Sequence, residues 1–413
     1  MMKIDIPATA SSLTWSTLET FIREQVQTCL QRVLDDEVDA LLGRGRHERR
    51  TADAVVGYRN GHGQPRQVAL MNGTISIRRP RVRGLDARFE SRILPLFQRR
   101  TPEIAKLLPE LYLHGLSSGD FTLALRGLLG DSAPLSASSV QRLTEDWQRD
   151  YAQWRTRDLS ALEPVYVWAD GIYVKAGLES TKAALLVLIA ALADGTKVVL
   201  AVESGHRESS ESWAEILRDL TARGLPAPSC VIGDGALGLW KAVGQVWPEA
   251  AEQRCWNHKL RNVVDAVPLK QQPEVLAAMQ RMAAADTAAE AEQGRQRFHR
   301  DYRLRFPKAS ERLDRDWARM LTYYQFPKEH WRHLRTTNVV ESPFAAVRLR
   351  TSAAKRFKKV ERATAIIWRL LRVAEKRFRK LNAPEQCRDV YRGVRYADGI
   401  EVPAVSSTQK AAA

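Results

Sequence analysis

Three hydrophobic rhythms succeed one another along the chain. Over residues 13–42 the apolar positions Leu13, Leu18, Ile22, Val26, Leu30, Val33, Leu34 and Val38 recur at near-helical spacing, which predicts one long amphipathic helix. RGRHERR (44–50) is a basic loop, after which the pattern turns to alternation. QVALMNGTISIRRPRV carries Asn72-Gly73 between two alternating runs, the strongest short signal for a β-hairpin. Residues 101–115 return to helical spacing and stop at Gly115. Ser117/Ser118 can cap a further helix through Leu129 with Gly130 as its end, and APLSASS leads into another over Ser138–Trp147. The helix-turn-helix order resembles a DNA reader, and two ordinary packed helices fit it equally well. The turn is also longer than the three or four residues usual in that motif.

From Pro164 the apolar runs become continuous. VYVWAD (165–170) reads as a strand, AALLVLIAALADG (183–195) as a buried strand closing on a structural Asp194-Gly195 turn, and TKVVLAVES (196–204) as its hairpin partner. Ser212 and Glu215 have capping-box spacing, so a helix should follow and end at Gly224. SCVIGD (229–234) is the fourth strand, ALGLWKAVGQVW a helix, and EQRC (252–255) a short strand feeding another helix. Residues 270–325 read as helices, FAAVRLRT as part of a last helix, and a basic helical tail follows to about Leu381; VSSTQKAAA reads as disordered. Three strands, helix, strand, helix, strand and then helices is the order of a ribonuclease-H-like core. The expected fold is α/β, with a ribonuclease-H-like (retroviral-integrase-like) core at 160–265 and 331–381 and an all-helical insertion at 266–330. A mainly helical N-terminal DNA-binding region should precede it: helical at 1–60, a β-hairpin and basic linker at 61–100, helix-turn-helix-like at 101–155, with 382–413 as a C-terminal tail.

Composition narrows the partners. With 44% hydrophobic and 27% charged residues a soluble globular protein is expected. The longest apolar stretch, Ala183–Ala193, is too short to span a bilayer, so no membrane role is expected. MMKIDIPATA lacks a basic segment followed by an apolar core, and the expected location is cytoplasmic, on the nucleoid through DNA binding. The four cysteines are far apart with no C-x-x-C pair, which disfavours a disulfide framework or a four-cysteine zinc site. The net charge of +16 calls for a polyanionic partner, and it is concentrated: Ala345–Lys380 holds 13 Lys/Arg against Glu361 and Glu375, or +11. A solvated helix face usually mixes signs, so phosphate contact explains this stretch better, with Arg348, Arg350, Lys355, Arg356, Lys358 and Lys359 as candidates. A second basic zone runs from Arg78 to Arg100, with Arg78, Arg79, Arg81 and Arg83 as its candidates for DNA contact.

Candidate chemistry lies at two strand ends. Asp170 ends the first strand in VWADGIYVK and Asp234 the fourth in VIGDGALG, where strand carboxyl ends open onto the functional crevice. Asp-Gly after a strand is also ordinary turn chemistry. Two such carboxylates can share a pair of divalent metals about 3.5–4 Å apart, the arrangement phosphodiester chemistry needs, and a third carboxylate from a helix would complete it. Mg2+ suits oxygen ligands. Glu341, in LRTTNVVESPFAAVRLRT, reads either as a capping partner of Asn338 or as a ligand at a helix mouth. Pro343 favours the second, with Ser342 as the cap. Cys255 and His258 form C-W-N-H, which lacks two further ligands for zinc. A supporting role suits the pair, with Lys259 and Arg261 at phosphate. Trp256 fits the core better than a stacked base, and Tyr173 and Lys175 are possible substrate contacts.

VWADGIYVK, GHRESSESW, VIGDGALGLWKAV, QRCWNHKLRNV and LRTTNVVESPFAAVRLRT resemble the segments of Mutator-type transposases of bacterial insertion sequences. So do YRNGHG (58–63), IRRPRVRG (77–84) and LPLFQRRTPEIAKLL (94–108), in order over about residues 20–380. The resemblance implies a DDE triad at Asp170, Asp234 and Glu341, with a Cys-x-x-His motif beside the active site and a helical insertion before the Glu. It further implies two Mg2+ (or Mn2+) ions, DNA partners in terminal inverted repeats and target DNA, and a homo-oligomer on DNA. The expected activity is metal-dependent cleavage at the element's ends and transfer of the 3′-OH into target DNA. A catalytically silent DNA-binding protein, a repressor or a domesticated transposase, is the alternative. A junction resolvase on the same core fits less well with the large N-terminal region and the insertion.

Overall fold

In the computed structural model α1 (Trp15–Leu42) realises the first rhythm: its Leu34, with Val26 and Leu30 beside it, packs on Val68, Ile75, Ile77 and Leu94. The structure describes residues 14–51, 56–71, 73–95, 99–116, 126, 129, 137–176, 183–205 and 209–403. They fall into two units, within residues 1–143 and 144–413.

In the first unit, β1 (Tyr58–Leu70) and β2 (Gly73–Arg83) form the expected antiparallel hairpin. Leu70 pairs with Gly73, so Gly73, at φ 114°, stands in β2 instead of in the turn; Asn72 lies outside the described residues. β1 begins earlier than alternation predicts, because register shifts around His62 absorb Gly61, Gly63 and Pro65. Two glutamines one helical turn apart on α1 cover the open edge of β2. Gln27 Oε1 accepts from Ser76 N–H (3.0 Å), while Gln31 accepts from Arg78 N–H and donates to its carbonyl (both 2.9 Å). α2 (Pro102–Leu113) stops two residues short of Gly115, which follows its cap His114 at φ 109°. The proposed helix from Ser117 lies outside the described residues apart from Arg126 and Leu129, and the helix-turn-helix reading with it. Its second helix is α3 (Ala137–Arg155), which runs on past Trp147 into the second unit; there Tyr151 and Trp154 pack on Trp368 of that same unit, with ring centroids 5.8 and 5.7 Å away.

The second unit is built on a mixed five-stranded sheet: β3 (Pro164–Val174), β4 (Ala183–Leu192), β5 (Lys197–Gly205), β6 (Cys230–Gly233) and β7 (Ala251–Arg254), in the order β5-β4-β3-β6-β7. β3, β4 and β5 pair antiparallel; β6 joins β3, and β7 joins β6, in parallel. Two helices, α4 (Ser210–Ala222) and α5 (Leu237–Val246), cover one face, where Trp213, Leu217, Trp240 and Val243 meet Val167, Ala169, Leu186 and Leu188. The cap of α4 is Ser209, whose Oγ accepts from Ser212 N–H at 3.2 Å; Ser212 is therefore inside the helix and not its cap.

The opposite face belongs to Tyr166, Trp168 and, by the two-residue period of a strand, Asp170. Tyr166 meets Phe326 edge-on (5.4 Å) and its hydroxyl lies 2.8 Å from His330 Nδ1; Trp168 donates to the His333 carbonyl (3.0 Å). After β7 come α6 (Trp256–Val264), α7 (Gln272–Ala283), α8 (Ala288–Tyr302), α9 (Pro307–Asp314), α10 (Trp317–Met320) and α11 (Trp331–Leu334), with no strand among them. The chain then returns to the sheet: α12 (Asn338–Glu341) packs against β3 and β4. It is followed by α13 (Phe344–Ala354), α14 (Val360–Glu375) against β5, α15 (Pro384–Tyr391) against β3, and a small hairpin of β8 (Tyr396–Ala397) and β9 (Ile400–Glu401). No helix among the described residues is long and apolar enough to cross a membrane.

Candidate active site

β3 does not end at Asp170. It continues to Val174 because β4 keeps pairing with it, Asp170 opposite Val187 and Val174 opposite Ala183. β6 does stop, at Gly233, and the β3–β6 register ends at Trp168–Ile232. Asp170 and Asp234 thus stand at matching positions, each two residues past that pair (168 + 2 and 232 + 2), on strands about 4.8 Å apart. Asp170 Oδ1 accepts from Gly171 N–H (2.8 Å) and Asp234 Oδ1 from Ala236 N–H (2.9 Å), leaving each carboxylate a second oxygen. Burial pushes the Asp170 carboxyl up to about 7; the Gly171 N–H opposes this, and the negative charges of Asp234 and Glu341 add to it. The charges of Asp234 and Glu341 are thus felt at Asp170.

Gly235 sets the direction of the Asp234 turn. Its φ is 99°, and a Cβ there would overlap the guanidinium of Arg254. Arg254, 6% exposed, is held against the turn by an ion pair with Asp316, just ahead of α10.

Glu341 arrives from the other end of the chain. It is the last residue of α12, whose N-cap is Thr337. Ser342 closes that turn and Pro343 (φ −66°) precedes α13, so the Ser342-capped helix mouth is corrected: Pro343 breaks a nearly continuous helix instead of opening one. Beside Glu341 lies the C-W-N-H corner. Cys255 N–H donates to the Gly233 carbonyl (2.8 Å), which sets the cysteine next to the Asp234 turn. The ligand atoms of Cys255, His258 and Glu341 lie within 4.8 Å of one another, the one such metal-capable group found among the described residues; Asp170 and Asp234 stand outside it. His258 Nδ1 is 3.8 Å from Glu341 Oε1. Its hydrogen bond to Cys255 and the charges of Cys255, Glu341 and Asp234 raise it to about 9 against the effect of burial. Burial raises the Cys255 thiol, but hydrogen bonds with His258 and Thr337 outweigh that and hold it below its ordinary value.

Thr337 escaped the sequence reading. It is fully buried, and its hydroxyl is 3.3 Å from Cys255 Sγ, 3.5 Å from His258 Nδ1 and hydrogen-bonded to Glu341 Oε1. Its backbone N–H points at Cys255 Sγ as well (3.4 Å). The signal was its position four residues before Glu341, where helical side chains meet.

The basic candidates divide. Arg78, Arg81 and Arg83 on β2 are exposed and Arg79 half-buried; Arg261, Arg348, Lys355, Arg356, Lys358 and Lys359 are exposed. Lys259 and Arg350 are not surface cations, at 1% and 2% exposure. The phosphate contact expected of Lys259 is corrected: Nζ donates to the Arg312 (2.8 Å) and Arg315 carbonyls at the C-terminal end of α9, where free carbonyls and the helix dipole favour a cation. Burial and the neighbouring Arg254 lower it to about 7. Trp256 is in the core, donating to the Met320 carbonyl at 3.0 Å. Tyr173 and Lys175 face outward between buried Ile172 and Val174.

Comparison with known proteins matches residues 2–380 to the family described as "Transposase, Mutator family". The chain is 46% identical over 281 residues to the transposase for insertion sequence element IS6120 of Mycolicibacterium smegmatis, covering 68% of this chain and 87% of that one. It is 41% identical over 279 residues to that for IST2 of Acidithiobacillus ferrooxidans (67% and 94%), and 29% over 350 residues to that for ISRM5 of Rhizobium meliloti (84% and 85%).

Proposed function

The chain belongs to the Mutator family of transposases, and from that premise we propose that it is a DDE transposase on a ribonuclease-H-like core, cutting the ends of an insertion sequence and joining them to target DNA. The sheet order, three antiparallel strands extended by two parallel ones, supports the core assignment. The observation that carries the chemistry is the matched placement of Asp170 and Asp234 with Glu341 brought back to within electrostatic reach.

Asp170, Asp234 and Glu341 would hold two Mg2+ or Mn2+ ions, which when bound activate the attacking oxygen and offset charge on the leaving one. The donor set fits: hard carboxylate oxygens, crowded and partly buried, two of them fixed by backbone N–H groups. In the first step a water oxygen bonds to phosphorus at the element's end and the P–O3′ bond breaks, freeing a 3′-OH. In the second, that oxygen attacks a target phosphodiester in line and a target 3′-oxygen leaves. A protonated His258 beside Glu341 would favour the anionic scissile phosphate. Arg261, Arg348, Lys355, Arg356, Lys358 and Lys359 would take flanking phosphates, while the first unit, with Arg78, Arg79, Arg81 and Arg83, would engage the inverted repeats. A homo-oligomer would bring paired ends together.

The test is strand cleavage and transfer on a labelled element end with Mg2+ or Mn2+. Wild type should cut and join, and Asp234→Asn should bind the DNA without cutting. Binding without metal-dependent cutting by either protein would make the chain a DNA-binding protein only.

A further inference from the structure

We propose that Thr337 is a positioning residue that fixes the Glu341 carboxylate by tying it to the Cys255–His258 corner at the end of β7. The inference rests on reading Glu341 as a metal ligand. Three observations support it.

First, Thr337 occupies an N-cap position, yet its hydroxyl makes no cap hydrogen bond to the helix. A capping threonine normally satisfies a free N–H of the first turn, worth roughly 1 kcal/mol. Here the group turns away to Cys255, His258 and Glu341. Second, the residue is fully buried, and so is Cys255, so the hydroxyl itself is out of reach of solvent. Third, the proton count is directional. A carboxylate only accepts, so the single hydroxyl proton must be the donor in the bond to Oε1. That bond fixes one oxygen of Glu341 and leaves the other free. The backbone N–H of the same residue anchors to Cys255 Sγ, and Cys255 N–H to the Gly233 carbonyl beside Asp234. A continuous hydrogen-bonded path therefore runs from the Asp234 turn to Glu341, although 107 residues separate them in the chain (341 − 234). The hydroxyl stands among the three side chains of the Cys-His-Glu cluster, donating to Glu341 with Cys255 Sγ 3.3 Å and His258 Nδ1 3.5 Å away.

Removing such an outer support of a ligand typically weakens metal binding about 10–100-fold. The experiment is Mn2+ binding to the full chain, read by electron paramagnetic resonance of free Mn2+, with the melting temperature recorded alongside. Thr337→Val keeps shape and loses the hydrogen bond; it should bind Mn2+ about tenfold more weakly, and Thr337→Ser should restore wild-type affinity. Thr337→Ala carries the same expectation and replaces valine if that variant does not fold. Wild-type affinity in the valine or alanine variant, or a loss that serine does not repair, overturns the proposal. If Glu341→Gln weakens binding while Thr337→Val does not, only this inference fails; if wild type binds no Mn2+, the triad reading fails with it.

Discussion

Asp170 and Asp234 occupy matching positions on neighbouring parallel strands, two residues beyond the Trp168–Ile232 pair. Neither strand alone makes a site. The juxtaposition exists because β6 pairs with β3 in parallel and in that register, which sets an acid within β3 beside one just past the end of β6.

The burial of Asp170 has a cost that depends on pH. Asp170 titrates at about 7, burial being the largest cause, against an unfolded value of about 3.9. Between these values the native state holds a proton that the unfolded state has lost, so metal-free stability is full below about pH 4, falls as pH rises and levels off above about 7. Asp170→Asn should therefore be more stable than wild type at pH 8 in chelator, by on the order of 2 kcal/mol, and the gap should close at pH 4. Melting curves at both pH values check this; a less stable variant at pH 8 contradicts it.

Divalent cations should reverse the same penalty. Mn2+ or Mg2+ should raise the melting temperature of wild type at pH 8, by an amount equivalent to about 2.7 kcal/mol at 100 times Kd. Asp234→Asn should lose most of that shift. An equal shift in both proteins would place the cation elsewhere.

Exposure separates two kinds of basic residue. Alanine at Arg348 or Lys358, both exposed, should weaken DNA binding and reduce the log–log salt slope by about 0.9 for each phosphate left without its cation. Lys259→Met should leave the slope intact and instead lower stability by about 1–3 kcal/mol, since two carbonyls at the end of α9 lose their donor. Salt titrations beside melting curves distinguish the two outcomes.

Gly235 should tolerate nothing larger. Alanine there meets both a positive φ and the Arg254 guanidinium, so Gly235→Ala should cost about 1–3 kcal/mol and abolish cleavage by turning Asp234 away. DNA binding should survive. Cleavage at the wild-type rate would show that the turn does not orient the acid.

The strands of the second unit were legible because their apolar runs are long and bounded by turns, and the helical segments because no strand pattern competes with them. What could not be read was set by tertiary pairing. β3 runs past Asp170 only because β4 offers partners as far as Ala183. Lys259 looks like a DNA contact in sequence, next to His258 in a basic segment, until α9 brings its carbonyls to the ammonium. Nothing in the sequence singles out Thr337 except its place four residues before Glu341; its contact with Cys255 spans 82 residues of chain. That Asp170 and Asp234 lie on or just past neighbouring strands could be read from the sequence, whereas the contacts of Lys259 and Thr337 could not.

The most direct test of the central claim is the anomalous scattering of Mn2+ in crystals of the protein on its DNA. The account predicts two peaks about 3.5–4 Å apart, held by Asp170, Asp234 and Glu341, and both lost in Asp170→Asn. Mn2+ bound away from all three carboxylates, or bound undiminished in that variant, would contradict it.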